Sequence, residues 1–165
     1  MIRLPGTNRL AVAYAGRREG STGSFVLKFA IQVRKGSGNC GESKEWACMD
    51  VDDRMNVGVN PSIAAFPDLN NKDRIMIGIS YHGLDQRRLY YAYNAYDKFN
   101  DRLESGWVTQ TIDKQTGNVS FLDYRSSLTF NLKTGTPVIA YNSFDKDVPD
   151  ARRRLLCTAF MGEQA

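Results

Sequence analysis

The stretch "KEWACMDVDDRMNVG", residues 44–58, has a counterpart in "SGWVTQTIDKQTG", residues 105–117. The chain has two tryptophans, Trp46 and Trp107, and each is followed six positions later by an aspartate, Asp52 and Asp113. A Trp–Asp pair that recurs in this way points to an internal repeat. Around these pairs, apolar and polar residues alternate in short runs bounded by Gly, Pro, Asn and Asp, the punctuation of strands and turns. No helical period is sustained over a dozen residues, so an all-β chain is expected.

Aligning outward from the tryptophans gives three further strand types. One carries Ser62 in "VGVNPSIAAF" and Ser127 in "LDYRSSLTFN". A second carries Tyr14, Tyr81 and Tyr141, in "RLAVAYAG", "IMIGISYHG" and "TPVIAYNS". A third carries Ala30, Ala92 and Ala159, in "FVLKFA", "RLYYA" and "LLCTA". The order Ser, Tyr, Ala, Trp then begins again, and four successive strands per repeat fit an antiparallel meander. The repeated Trp, Tyr and Ala read most simply as packing positions, and Asp52 and Asp113 as caps of the turn after the Trp strand.

The pattern Pro-Ser-apolar, Ile-x-Tyr, Leu-x-Tyr-Ala and Trp resembles repeats of bacterial β-propeller proteins related in shape to sialidases and propeller lectins. The motifs are short and span nearly the whole chain. The sialidase Asp-box, Ser-x-Asp-x-Gly-x-x-Trp, is absent. The resemblance implies a propeller of four-stranded antiparallel blades, about 2.5 to 3 per chain. They would run as a partial blade over about 1–55, a full blade over about 56–116 and a partial blade over about 117–165. Ends that stop inside a repeat suggest either closure by a homo-oligomer, with a dimer favoured, or a piece of a longer protein.

Bulk properties set limits. The chain has 165 residues, 42% hydrophobic and 24% charged, which suits one soluble domain or a few small repeats. A net charge of +4 is compatible with an acidic glycan or nucleic acid but argues for neither, and nucleic acid is not expected. No apolar run approaches the roughly 18 residues of a span, so no membrane partner is expected. The N-terminus is a poor signal peptide, so the chain is either cytosolic or has lost a leader. Cys40, Cys48 and Cys157 are expected as buried free thiols, although Cys40 and Cys48 could bridge in an oxidising compartment. With a single histidine, His82, and no zinc spacing, neither a metal nor a cofactor is expected.

In a meander the Tyr-to-Ala and Trp-to-Ser connections fall at one end, so residues there that break the repeat are the candidate site. Gly58, Val59, Asn60 and Pro61 correspond to Asp123, Tyr124, Arg125 and Ser126, and Ala15, His82 and Asn142 follow the three tyrosines. Arginines cluster in the same connections: Arg17 and Arg18, Arg87 and Arg88, and Arg152 to Arg154. The candidate ligand-binding set is therefore Asn60, His82, Arg87, Asp123, Tyr124, Arg125 and Asn142, with no catalytic residue assigned. Guanidinium forks suit carboxylates and phosphates, and Tyr124 could stack on a sugar. The expected function is non-catalytic binding of a glycan or protein through this face.

One alternative is a sialidase-like or other glycoside-processing enzyme whose site forms across subunits. It would use Asp123 with Asp101 or Glu104, or a Ser–His–Asp set of His82 with Asp85 or Asp123. The other is a structural assembly module. The tyrosines of "RLYYAYNAY" are expected in the core, because alternation sends them to both faces of a strand packed on both sides.

Overall fold

The computed structural model describes residues 1–85, 87–114, 125–144 and 154–160. Among them there is no helix, and every strand pairing is antiparallel. The first sheet holds β1 (Ile2–Arg3), β2 (Leu10–Arg17), β3 (Phe25–Gln32) and β4 (Trp46–Asp52) in that order. The second holds β5 (Val57–Pro67), β6 (Arg74–Gly83), β7 (Arg88–Asp97) and β8 (Arg102–Leu103), with β9 (Val108–Lys114) also on β7. The third holds β10 (Ser126–Phe130), β11 (Pro137–Phe144) and β12 (Arg154–Phe160). None of the three closes into a barrel.

The repeat is visible in the registers. Ala30, Ala92 and Ala159 face Val12, Ile79 and Ile139, each two residues before its repeat tyrosine. Cys48 and Thr109, each two residues after a tryptophan, face Ala30 and Ala92. The same irregularity interrupts both pairings, between Leu27 and Lys28 and between Leu89 and Tyr90, and sets Leu27 opposite Asp52 and Leu89 opposite Asp113. The two sheets therefore share a register irregularity at the equivalent place as well as a pairing.

The middle sheet departs from the four strands expected. The far end of β7 takes a short extra partner, β8, at Tyr96 and Asp97. The chain then passes through Gly106, at φ +79°, before Trp107 leads into β9. Trp107 packs on Phe29 of the first sheet, ring centroids 5.0 Å apart. It is an inter-sheet filler, as the repeat implied.

β7 serves two cores at once. Tyr90, Ala92 and Tyr96 pack with Leu27, Phe29 and Ile31 of the first sheet, whereas Leu89 and Tyr91 pack with Leu128 and Ile139 of the third. The tyrosine-rich segment is thus interior, as alternation predicted. Ser62 Oγ accepts a hydrogen bond from the Leu128 amide at 3.0 Å, and the Ser80 and Ser126 hydroxyls meet at 2.9 Å. The serine strands β5 and β10 are therefore neighbours across the second interface.

Cys40 and Cys48 form a disulfide, with Cα atoms 6.0 Å apart, in place of the free thiols expected. The loop between β3 and β4 folds back on β4. The Asn39 side chain accepts from the Cys48 amide at 2.7 Å and donates to its carbonyl at 2.8 Å, much as a strand partner would. Sequence gave no view of this return. The Cys157 side chain lies outside the described residues. By loop-closure entropy, Cys48→Ala is expected to lower the unfolding free energy by about 2–3 kcal/mol. A urea melt under non-reducing conditions checks this, and added reductant should remove the difference.

Candidate functional site

Asn56 organises one end of the molecule. It stands in the β4–β5 connection at φ +57°, a left-handed conformation that asparagine tolerates better than most residues. Its amide donates to Phe25 O at 2.9 Å, where β3 begins, and its carbonyl accepts from the Leu84 amide at 2.9 Å, in the β6–β7 turn. Its side-chain amide donates to Asp85 Oδ2 at 2.8 Å. Three connections from two sheets are thereby tied together at the end where the sequence places its arginines.

Arg17 and Arg18 are exposed where β2 turns towards β3, and Arg87 is exposed in the β6–β7 turn at φ +46°. Arg54 sits in the connection that Asn56 anchors. It donates to Asp52 through Nε, 2.9 Å from Oδ1, and through Nη2, while its guanidinium carbon lies 4.3 Å above the Tyr90 ring. Asp52 also accepts the Tyr81 hydroxyl at 2.6 Å and the Arg54 amide at 3.2 Å. It does cap the turn, as its place in the repeat suggested, and it also crosses to the second sheet.

Of the sequence-derived set, Asn60 is exposed at φ +46°, in the irregular start of β5. Arg125 is exposed just ahead of β10, and its carbonyl accepts from the Asn142 amide of β11 at 3.2 Å. Asn60 and Arg125 therefore lead the two neighbouring serine strands at the same end. His82 differs from expectation: it is fully buried in β6, in register with Val59 and Leu89, and does not face solvent. β6 is covered on both faces here, so His82 is buried along with its neighbours Ser80 and Tyr81, at a position where sequence showed only a polar residue at a strand end. Asp123 and Tyr124 lie outside the described residues.

Asp101 and Glu104, considered as partners for Asp123, belong to the opposite end. Asp101 pairs with Arg9 and accepts the Tyr96 hydroxyl, and Glu104 pairs with Arg74 at 2.8 Å. Arg54 and Asn56 were missed in the sequence. Arg54 had a usable signal, being a cation two residues after the repeat aspartate where the other copy has Gln115. Among the described residues, no group of three His, Cys, Asp or Glu is placed to hold a metal.

Burial pushes the Asp52 carboxyl up, but hydrogen bonds from Arg54, Tyr81 and the Arg54 amide outweigh it and hold the carboxyl below its ordinary value of 3.8. Asp101 is lowered in the same way, burial being opposed by Tyr96 and Arg9. The Tyr81 phenol is raised, first by burial and then by its bond to Asp52. Burial, followed by the bond to Asp101, pushes Tyr96 up to about 12. Carboxylates depressed by folding contribute stability above pH 3.8, and lose it as pH falls through their folded values. Urea midpoints are expected to drop steeply below pH 3.8, and Asp52→Asn should flatten that drop.

No family model, curated protein or solved structure matches this chain.

Proposed function

We propose that the chain is a β-propeller-like repeat protein whose arginine-bearing end binds an anionic glycan without catalysis. The blade reading is supported by the equal registers and equal bulges of successive meander sheets. The observation that carries the binding reading is the Asn56 hub, which gathers the connections bearing Arg17, Arg54 and Arg87. Arg125 and Asn60 extend this end towards the third sheet. Exposed guanidinium forks favour carboxylate and sulfate groups, and Arg54 is already oriented by Asp52 and Tyr90.

The test is capture on a glycan array. The wild type is expected to retain sulfated or carboxylated glycans over neutral ones, less so as salt rises. Arg125→Ala should weaken capture by about tenfold or more, with unchanged circular dichroism. Unchanged capture by Arg125→Ala would remove the proposed site. A glycosidase alternative would require turnover of a chromogenic glycoside that Asp123→Asn abolishes, and none is expected.

A further inference from the structure

The end opposite the arginines carries a different surface. Three of its hairpin turns each lift an apolar side chain into solvent: Leu69 between β5 and β6, Phe99 between β7 and β8, and Leu132 between β10 and β11. They are 58%, 86% and 83% exposed. Each turn is held by a side-chain oxygen accepting an amide two residues on: Asp68 from Asn70, Asp97 from Phe99 and Asn131 from Lys133, at 2.9 Å in all three. Turns fixed in this way present their tips in a defined direction.

The tips are adjacent. The Lys98 amide donates to Asp73 O at 2.7 Å, which joins the second turn to the first. A Cβ at Gly135 would lie 3.1 Å from the Phe66 ring and 4.0 Å from Leu69, so the third turn lies against the first. Each tip brings a lysine: Lys72, Lys98 and Lys133. Of the carboxylates at this end, Asp101 is engaged by Arg9 and Tyr96, Asp68 and Glu104 by Arg74, and Asp97 by Asn100, while Asp73 stands exposed beside Lys72. No salt bridge engages the three lysines among the described residues.

We infer that this end docks on the surface of an anionic lipid bilayer, with Leu69, Phe99 and Leu132 entering the interface and Lys72, Lys98 and Lys133 facing the headgroups. Separate protruding tips suit a soft interface better than the flat, well-packed centre of a protein interface. Lysines beside apolar tips can keep their ammonium groups among the headgroups while their stems lie along apolar surface. The attraction is additive in apolar area and in basic charge near the surface. No sliding window along the sequence sees this surface, because its parts come from three turns.

Co-sedimentation with vesicles tests it. Wild type is expected to pellet with phosphatidylcholine vesicles containing phosphatidylserine, and much less with phosphatidylcholine alone. Phe99→Ser with Leu132→Ser, both at exposed turn positions, should weaken binding by about tenfold or more. Each of Lys98→Gln and Lys133→Gln should weaken it by about fivefold. Arg125→Ala should bind vesicles as wild type does, which separates this end from the glycan site.

Three results would overturn the inference. The first is a wild type that does not pellet with anionic vesicles, and the second a Phe99/Leu132 variant that binds as the wild type does. The third is concentration-dependent self-association that the same variant abolishes without vesicle binding, which would assign the surface to a second copy of the chain.

Discussion

Asp52→Ala is expected to lower the unfolding free energy by about 3 kcal/mol. Removing one member of a buried ion pair costs roughly 3–5 kcal/mol, and Arg54 is partly open to water, which places the value towards the lower end. The loss has three parts: the charge partner of Arg54, the acceptor of a buried phenol, and a turn cap. Tyr81→Phe removes only the second and should cost about 1.5 kcal/mol. A double-mutant cycle should find the two effects coupled, since both act on the same contact between the first and second sheets. Additive losses would mean that the contact contributes nothing to joining them.

Gly58→Ala should also cost about 3 kcal/mol. Gly58 has φ +89°, where a side chain is strained, and its Cβ would stand 2.7 Å from Leu27 Cα of the first sheet. The left-handed conformation alone costs about 1–2 kcal/mol, and displacing packed backbone adds a further 1–3 kcal/mol. Gly20 separates the two contributions: it has φ +75° with open space around it, so Gly20→Ala should show only the smaller loss. Equal losses at both positions in urea melts would mean that the sheets do not approach closely at Gly58.

Much of the strand order was readable from a few residues. Trp46 and Trp107, with their aspartates, set the repeat, and Ala30, Ala92 and Ala159 lie opposite equivalent residues in all three sheets. Alternation also placed the tyrosines of β7 correctly: with both faces of the strand covered, Tyr90, Tyr91 and Tyr96 are buried and Tyr93 half-buried. What it missed depends on contacts distant in sequence. The Cys40–Cys48 bridge needs the loop to fold back on β4. Likewise β8 arises from a local return of the chain that has no apolar pattern of its own.

The candidate end shows the same division. Asn60 and Arg125 were found because they break the repeat, and Arg17 and Arg87 because arginines cluster in equivalent connections. His82 also breaks it, yet faces inward, since non-equivalence between copies does not report burial. Asn56 was invisible because its role lies in bonds to Phe25, Leu84 and Asp85, all on other connections distant in sequence.

The most direct test of the binding site is a nuclear magnetic resonance titration of the 15N-labelled protein with a sulfated oligosaccharide. The amides of Arg54, Asn56, Asp85, Arg87 and Arg125 are expected to shift together and saturate at one ligand concentration. Shifts confined to the Leu69, Phe99 and Leu132 turns, or none at saturating ligand, would contradict it.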